Sequence, residues 1–578
     1  MEPAPQALDP ADPARRSLAP QDLRDVRAYV RSGTPYVWIT AAAIATCVIV
    51  VVALLALIAA RGIPYFWPAD VIVAEYRDPV HEPVPVMAEI VESEAVSTTR
   101  LKSAGLAVDG KQAFYDRLLL KVGNRDHYGA DFRHLLSDWL VDRTTPDDVL
   151  VLERMEWGNL YGVPTAVKQN GAVVASGEGA YAAWRPLQER ANGLRDRIHD
   201  VEKGAIGAIN YRMEQVRLDQ RRLEIDGRTE AADPEAHAGL AQRRQGLDAE
   251  YAGLQDELTR LYGEIRRDAL VMKMVTGDEV EIPLDKVVRG YRPNAMNLLQ
   301  KVGFYFVKLW EFAADEPREA NTEGGIFPAI FGTVLMVLIM SVIVTPFGVI
   351  AAVYLREYAR QGTMTRIIRI AVNNLAGVPS IVFGMFGLGF FVYALGGSID
   401  RLFYAEALPA PTFGTPGILW ASLTLALLTL PVVIVATEEG LARIPRALRE
   451  ASLALGATKA ETLWRIVLPM ASPAMMTGLI LAVARAAGEV APLMLVGVVK
   501  LAPTLPLDAN LPFLHLERKF MHLGFHIYDV GFQSPNVDAA RPLVYATALL
   551  LVGVIVVLNL AAIRIRNRLR ERYKALDN

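Results

Sequence analysis

The chain is poor in the features that mark most enzymes, disulfide-stabilised proteins and nucleic-acid-binding proteins. Its only cysteine, Cys47, lies in an apolar run, so a disulfide within the chain is impossible. The net charge of −3 gives no electrostatic reason to expect nucleic-acid binding. No nucleophile and base stand in a recognisable catalytic arrangement. His522 and His526 are four residues apart, but further ligands are lacking nearby, so we predict surface histidines and no metal site.

An ATP-binding motif is also lacking. Residues 105–111 (GLAVDGK) match the first part of a phosphate-binding loop, but Gln112 stands where the Ser or Thr that binds Mg²⁺ is required. No other stretch resembles an ATPase domain. We therefore expect no cofactor on this chain, and the energy for any transport must come from another polypeptide.

Long apolar runs, in contrast, are abundant, and hydrophobic residues make up 52% of the chain. Six runs can cross a hydrocarbon core about 30 Å thick. They lie at residues 37–60, 326–354, 368–395, 417–435, 475–498 and 543–563. The first run is too long and starts too far from Met1 for a secretory signal, which indicates a retained anchor. The sequence therefore predicts an all-α polytopic membrane protein with six transmembrane helices.

Lys and Arg residues predict the orientation. They fill the loop after the second run, the segment after the fourth run and the C-terminal tail, which share one side if the runs alternate. Because Lys and Arg favour the cytoplasmic side, we expect both termini, residues 1–36 and 564–578, to be cytoplasmic. Residues 61–325 then form an extracytoplasmic insertion.

This insertion is predicted to have an α+β fold. Two polar helices at about 184–268 carry apolar residues at heptad-like spacing, and Gly227 and Pro234 separate them, which predicts a coiled-coil hairpin. A strand-like run at 163–174, and two more strands around the turn at Gly277, predict β-structure.

The last part of the insertion, at about 294–312, is predicted to be an interfacial helix. Its apolar residues share one face: Leu298, Leu299, Val302, Tyr305, Phe306, Leu309 and Trp310.

Five stretches resemble the PstA-type permeases of bacterial phosphate ABC transporters. They are residues 324–333 (GGIFPAIFGT), 374–384 (NLAGVPSIVFG), 437–445 (TEEGLARIP), 450–469 (EASLALGATKAETLWRIVLP) and 484–492 (ARAAGEVAP). The Gly-Glu-x-Ala-Pro string resembles the PstA type more than its sister permease, PstC. The resemblance implies the type I ABC importer (MetI-like) fold, with a five-helix permease core at 326–563.

The same resemblance identifies residues 438–474 as a cytoplasmic coupling loop. It implies that a short helix after Glu450 docks in a groove of an ATPase subunit. The residues implied in coupling are Glu450, Ala451, Gly456, Ala457, Ile466, Leu468 and Pro469. Gly456 suits a tight turn because it tolerates positive φ, and Pro469 is expected to end the second helix of the loop.

The resemblance also implies a passive path in the bacterial inner membrane rather than an enzyme. Its partners would be a PstC-type sister permease, a PstB-type ATPase dimer that binds ATP and Mg²⁺, and a PstS-type binding protein that delivers inorganic phosphate.

Arg485 and Glu489 stand four apart in an apolar span, so on a helix they share one face. A charge at mid-membrane is costly and is usually functional. Arg485 could grip phosphate oxygens in pairs, with Glu489 holding it in place. The alternative is a structural ion pair that locks the helix. Asn373, Asn374 and Ser380 could line the inner mouth of the path, or could belong to a loop cap and kink.

Two other functions stay open. A coupling loop occurs in many importers, so the cargo could be another oxyanion or small solute. A membrane-anchored sensor with an external coiled-coil domain would also have an anchor and an external hairpin. Four further spans, and the lack of a cytoplasmic signalling domain, argue against the sensor.

Overall fold

The structure, a computed structural model, describes residues 32–108, 112–534 and 537–574. Most of the predicted N-terminal tail and part of the 105–111 match lie outside these ranges. Within them, six helices are long and apolar enough to cross a membrane. These spans 1 to 6 are Tyr36–Phe66, Phe327–Tyr358, Ser380–Phe403, Ile418–Arg443, Lys459–Gly488 and Ala540–Glu571. The prediction of six transmembrane helices is confirmed.

Span 3 starts later than predicted. A separate helix, Thr363–Leu375, ends before Gly377, and a new helix begins at Ser380. Pro379 explains the break, because a proline disfavours helical backbone in the residue before it and lacks an N–H of its own. The predicted run 368–395 is therefore two helices joined by a turn.

Span 5 ends earlier than predicted. Its helix stops at Gly488, and Glu489 has extended backbone with ψ 133°. Pro492 follows, and a short helix, Leu493–Val496, resumes the path. The predicted run 475–498 is thus interrupted by four non-helical residues.

The insertion contains two large antiparallel sheets and a short two-stranded one, in which Pro317–Arg318 pairs with Glu323–Gly324. The first has the strand order β4-β3-β2-β1-β5 and the second the order β10-β9-β7-β6-β11, with β8 also paired to β7. The strands are β1 Val71–Tyr76, β2 Val84–Ser97, β3 Phe114–Lys121, β4 Phe132–Leu136, β5 Leu140–Thr144, β6 Leu150–Arg154, β7 Asn159–Gln169, β8 Ala172–Ser176, β9 Asp268–Lys273, β10 Glu279–Pro283 and β11 Val287–Tyr291. We call them together the β-rich domain.

Two local predictions for this domain can be compared with the strands. The predicted hairpin around Gly277 is β9 and β10, with Lys273 opposite Glu279. The run predicted at 163–174 is two strands, because Asn170 and Gly171 both have positive φ and reverse the chain between β7 and β8.

The helical hairpin lies between β8 and β9. Its first arm comprises Gly179–His199, a wider π turn at Asp200–Ile206, and Gly207–Ile225; its second arm is Pro234–Ile265. Arg212 pairs with Glu250 across the arms at 2.9 Å, and the Tyr262 hydroxyl donates to Glu202 at 2.6 Å, so the arms are antiparallel. Buried residues such as Leu194 and Leu261 lie near the base, against the second sheet. Knobs-into-holes packing of a coiled coil stays a prediction.

The membrane core is built around span 4, which packs against spans 2 and 5. Glycines permit close contact: Gly348 of span 2 faces Val433, and Gly478 of span 5 faces Ala436, both on span 4. Small residues at such positions let membrane helices approach closely. The contacts fix the relative depth of residues on neighbouring spans.

Candidate functional site

The break in span 5 lies near the middle of the membrane core. Gly440 of span 4 faces Ala474, and Gly478 faces Ala436, so the two helices run antiparallel. Continuing this pairing by seven residues, about two helical turns, puts Arg485 level with Thr429. Thr429 is close to the midpoint of Ile418–Arg443. Arg485 therefore stands at mid-depth, one turn before the helix stops.

Arg485 and Glu489 form an ion pair across the end of this helix. The Arg485 Nε lies 3.5 Å from Glu489 Oε1, and both side chains are partly exposed within the chain. The prediction that both residues share a helix face is wrong, because Glu489 lies beyond the last helical residue, Gly488. The extended backbone nevertheless brings its carboxylate back to the guanidinium.

Span 3 approaches the same break. A Cβ on Gly384 would lie 2.7 Å from the Pro492 Cα, so only glycine fits this contact. Ser380 is one helical turn before Gly384 and half-buried. Asn374 is exposed, and its carbonyl accepts from Gly377 N at 3.0 Å, which closes the turn before span 3. The structure thus places Ser380 near the break and Asn374 at the turn.

A cavity of about 360 Å³ opens beside this turn, between spans 4 and 5. Its lining residues are Asn373, Ala376, Pro431, Val432, Val435, Ala436, Glu439 and Leu481. Of the two predicted asparagines, Asn373 lines it and Asn374 does not. Glu439 was not predicted as a path residue, although the stretch 437–445 contains it.

The predicted coupling loop forms two helices around a tight turn. Arg446–Ala454 is followed by Gly456, whose φ of +88° favours glycine, and by a capping box in which Thr458 and Glu461 exchange hydrogen bonds. A Cβ on Gly456 would meet no atom of the described residues within 4 Å. The requirement for glycine therefore comes from the backbone angle.

The predicted coupling residues differ in exposure. Glu450, Ala451 and Gly456 are exposed, whereas Ala457, Ile466, Leu468 and Pro469 are partly buried. Leu455, next to Gly456, is 90% exposed. The loop thus presents an apolar tip beside its acidic residue.

Pro469 does not end the second helix of the loop, as was predicted. The helical chain continues from Lys459 to Gly488. Proline has no backbone N–H to donate within a helix. A wider π turn at Leu463–Val467 lies directly before it, and the helix continues past Pro469.

The loop is also tied to the end of span 2. The Arg449 guanidinium lies 3.0 Å from the Glu357 carboxylate and donates to the Leu441 carbonyl at 2.8 Å. Lys459 donates to the backbone carbonyl of Glu357. These contacts link residues on both sides of the Gly456 turn to one point on span 2, and the sequence motifs alone did not indicate them.

The two histidines are buried, so the prediction of surface histidines is wrong. His522 and His526, between spans 5 and 6, are 0% and 2% exposed. Burial lowers the pKa of His522 to about 3 and that of His526 to about 4. Gly524, between them, packs against Val490 beside the span 5 break. In the described residues no group of three or more potential metal ligands is present.

Comparisons with known proteins point to one family. The sequence model of the "Binding-protein-dependent transport system inner membrane component" family matches residues 344–574. The phosphate transport system permease protein PstA 1 of Mycobacterium tuberculosis is 37% identical over 244 residues, which are 42% of this chain and 71% of that protein. A probable ABC transporter permease protein of Bacillus subtilis, YqgI, is 33% identical over 44% of this chain and 81% of its own length.

Among solved structures, an inward-facing MetNI methionine ABC transporter aligns with a TM-score of 0.30 and 20% identity, over 42% of this chain and 94% of that chain. The family match begins at residue 344, so the β-rich domain and the hairpin lie outside it.

Proposed function

The chain belongs to the PstA family of phosphate transport permeases, and from that premise we propose that its membrane core forms half of a path for inorganic phosphate. A PstC-type sister permease would form the other half in the bacterial inner membrane. The observation that carries this proposal is the Arg485–Glu489 pair at mid-depth, beside a broken helix. Secondary transporters commonly bind substrate at interrupted helices near the midplane, and the break in span 5 offers a comparable arrangement here.

Phosphate recognition would rest on Arg485. Its planar guanidinium can donate two parallel hydrogen bonds to phosphate oxygens. Glu489 would orient Arg485 and repel the anion, so that the contact stays weak enough for release. Ser380, on the neighbouring span, could donate a further hydrogen bond from its hydroxyl.

Energy would enter through the coupling loop. A PstB-type ATPase dimer would bind ATP and Mg²⁺, and its groove would receive the exposed surface of Glu450, Ala451 and Gly456. Because Arg449 and Lys459 hold the end of span 2, a push on the loop would move spans 2 and 5 together. The chain itself would carry no catalytic step.

The orientation follows from the basic residues. Arg and Lys at the coupling loop and in the C-terminal tail would place that side in the cytoplasm. The β-rich domain and the hairpin would then face a PstS-type binding protein.

The test is radiolabelled phosphate uptake into proteoliposomes containing this chain, its sister permease and ATPase, with binding protein and ATP supplied. We would compare the wild type with Gly456→Ala. Gly362→Ala is the matched control, because Gly362 is a loop glycine with an extended φ of −155°.

We expect ATP-dependent uptake that Gly456→Ala loses and Gly362→Ala keeps. If an intact, ATP-hydrolysing complex imports sulfate or another solute but no phosphate, phosphate is ruled out as the cargo. Normal uptake by an assembled Gly456→Ala complex would discard the coupling role.

A further inference from the structure

The helix before span 2, Leu298–Ala314, has its two faces arranged opposite to those of a helix in a soluble protein. We call it the surface helix. It begins with a capping box between Asn297 and Gln300 and contains charged and apolar residues on separate faces. In a soluble domain the apolar face would pack on the core and the charged face would meet water.

The charged face is attached to the β-rich domain. Lys308 pairs with Glu153 of β6, and Glu311 pairs with Arg289 of β11. Lys301, about two turns before Lys308, pairs with Asp70 just before β1. The Lys308 side chain is only 19% exposed.

The apolar face is left uncovered. The side chains of Leu299, Trp310 and Phe306 are 82%, 73% and 62% exposed, and Leu298 is exposed beside them. Leu299, Phe306 and Trp310 follow one another at spacings of seven and four residues along the helix, so they form one continuous stripe. Lipid, or an equally apolar surface, is the environment that such a stripe requires.

The position of the surface helix identifies which apolar environment is available. The Phe312 carbonyl accepts from Ile326 N at 2.8 Å, and the Asp315 carbonyl accepts from Phe327 N at 3.1 Å. Phe327 is the first residue of span 2. The C-terminal end of the surface helix is therefore fixed at the level where span 2 enters the bilayer.

We propose that the surface helix lies on the membrane, with Leu298, Leu299, Phe306 and Trp310 inserted among the lipids at the boundary between headgroups and acyl chains. Its charged face binds the β-rich domain, so the helix fixes the height of that domain above the bilayer. Trp310 suits this boundary, where aromatic residues with one polar end are favoured. The proposal holds whatever the cargo of the permease is.

The test places a fluorescent label on the stripe. Cys47 is the only cysteine, so Cys47→Ser gives a cysteine-free chain into which Phe306→Cys is introduced and labelled with bimane. The assembled transporter is reconstituted in phosphatidylcholine–phosphatidylglycerol vesicles with and without brominated acyl chains. Val173→Cys, at an exposed position on β8, is the water-facing control.

We expect brominated lipid to quench the label at 306 at least about twofold more than the label at 173, and aqueous iodide to show the reverse order. Leu299→Cys should behave like Phe306→Cys. A label at 306 that iodide quenches as readily as at 173 would overturn the proposal. Protection from both quenchers would overturn it too, because another protein would then cover the stripe.

Discussion

Arg222 on the helical hairpin forms an ion pair with Glu406, in the loop that follows span 3. The Glu406 side chain is only 9% exposed, so the pair is held in a partly buried site. A second contact lies along the same arm, where the Tyr211 hydroxyl donates to the Leu511 carbonyl at 2.5 Å. The hairpin therefore contacts two loops of the membrane core, the one before span 4 and the one before span 6.

The Arg222–Glu406 pair should hold the hairpin on the core. Arg222→Glu puts two carboxylates together, and we expect faster amide hydrogen exchange at residues 405–407 and in the 207–225 arm. Because Arg222 is half exposed, the pair contributes about 1 kcal/mol or less. The double variant Arg222→Glu with Glu406→Arg should restore the slow exchange. If the single variant exchanges like the wild type, the pair has no such role.

Arg485 should be required for phosphate movement. We expect Arg485→Ala to reduce uptake by about tenfold or more, and Arg485→Lys to retain part of it with a weaker apparent affinity, because an ammonium loses the bidentate geometry. Arg401→Ala, in the helical chain of span 3, is the control. The measurement is uptake at varied phosphate in complexes with normal ATPase activity. Unchanged uptake in Arg485→Ala would show that Arg485 is not needed for phosphate movement and that its pair with Glu489 is structural only.

Long apolar runs, the β9–β10 turn and the motifs around Gly456 were readable from the sequence, because each depends on neighbouring residues. The break in span 5 was harder to predict. Gly488 and Pro492 signal it locally, but the apolar residues around them continue the span, and the run was predicted as one helix. The close fit of Gly384 to Pro492 depends on tertiary contact and has no local signal.

The burial of His522 and His526 was missed because the segment lies between two spans and was interpreted as an exposed loop. The residues around them, 520–528, are mostly apolar and were a local signal of burial, and the segment folds back against Val490. The Arg222–Glu406 contact joins residues 184 positions apart. Neither residue has a local feature that would distinguish it from other surface charges.

Gly384 should tolerate no side chain. Gly384→Ala would place a methyl group 2.7 Å from the Pro492 Cα, and we expect a loss of about 1–3 kcal/mol, as in other overpacked cores. Gly389→Ala on the same span is the control, since its Cβ would meet no described atom within 4 Å. Thermal unfolding of the purified complex measures both. Equal midpoints for the two variants would contradict the tight fit.

Stability should fall in acid because of the buried histidines. Their pKa values are lowered to about 3 and about 4, so the unfolded chain takes up protons first as pH falls below about 6.5. The stabilisation is complete above that pH and is lost as pH falls toward the folded values. From about pH 7.5 to 5 the loss is about 2 kcal/mol for each histidine.

His526→Phe should reduce this pH dependence. Asp529, near His526, pairs with Lys500 at 3.0 Å, and both charges stay in place in the variant. His199→Gln, at an exposed position of the hairpin, is the control. The unfolding midpoints of the three proteins at the two pH values are compared. A shift of the same size in all three would show that other groups cause the acid sensitivity.

The interruption at Gly488 also bears on how the membrane stays sealed. In an uninterrupted helix the Gly488 carbonyl would accept from the N–H of residue 492, but that residue is proline and has none. Hydrocarbon offers no substitute donor, and an unmet carbonyl in it costs several kcal/mol. We therefore expect water, or a donor on a neighbouring subunit, to reach this carbonyl at the centre of the bilayer. A hydrated seam through the insulating layer would leak ions, so its closure between transport events is as necessary as its opening.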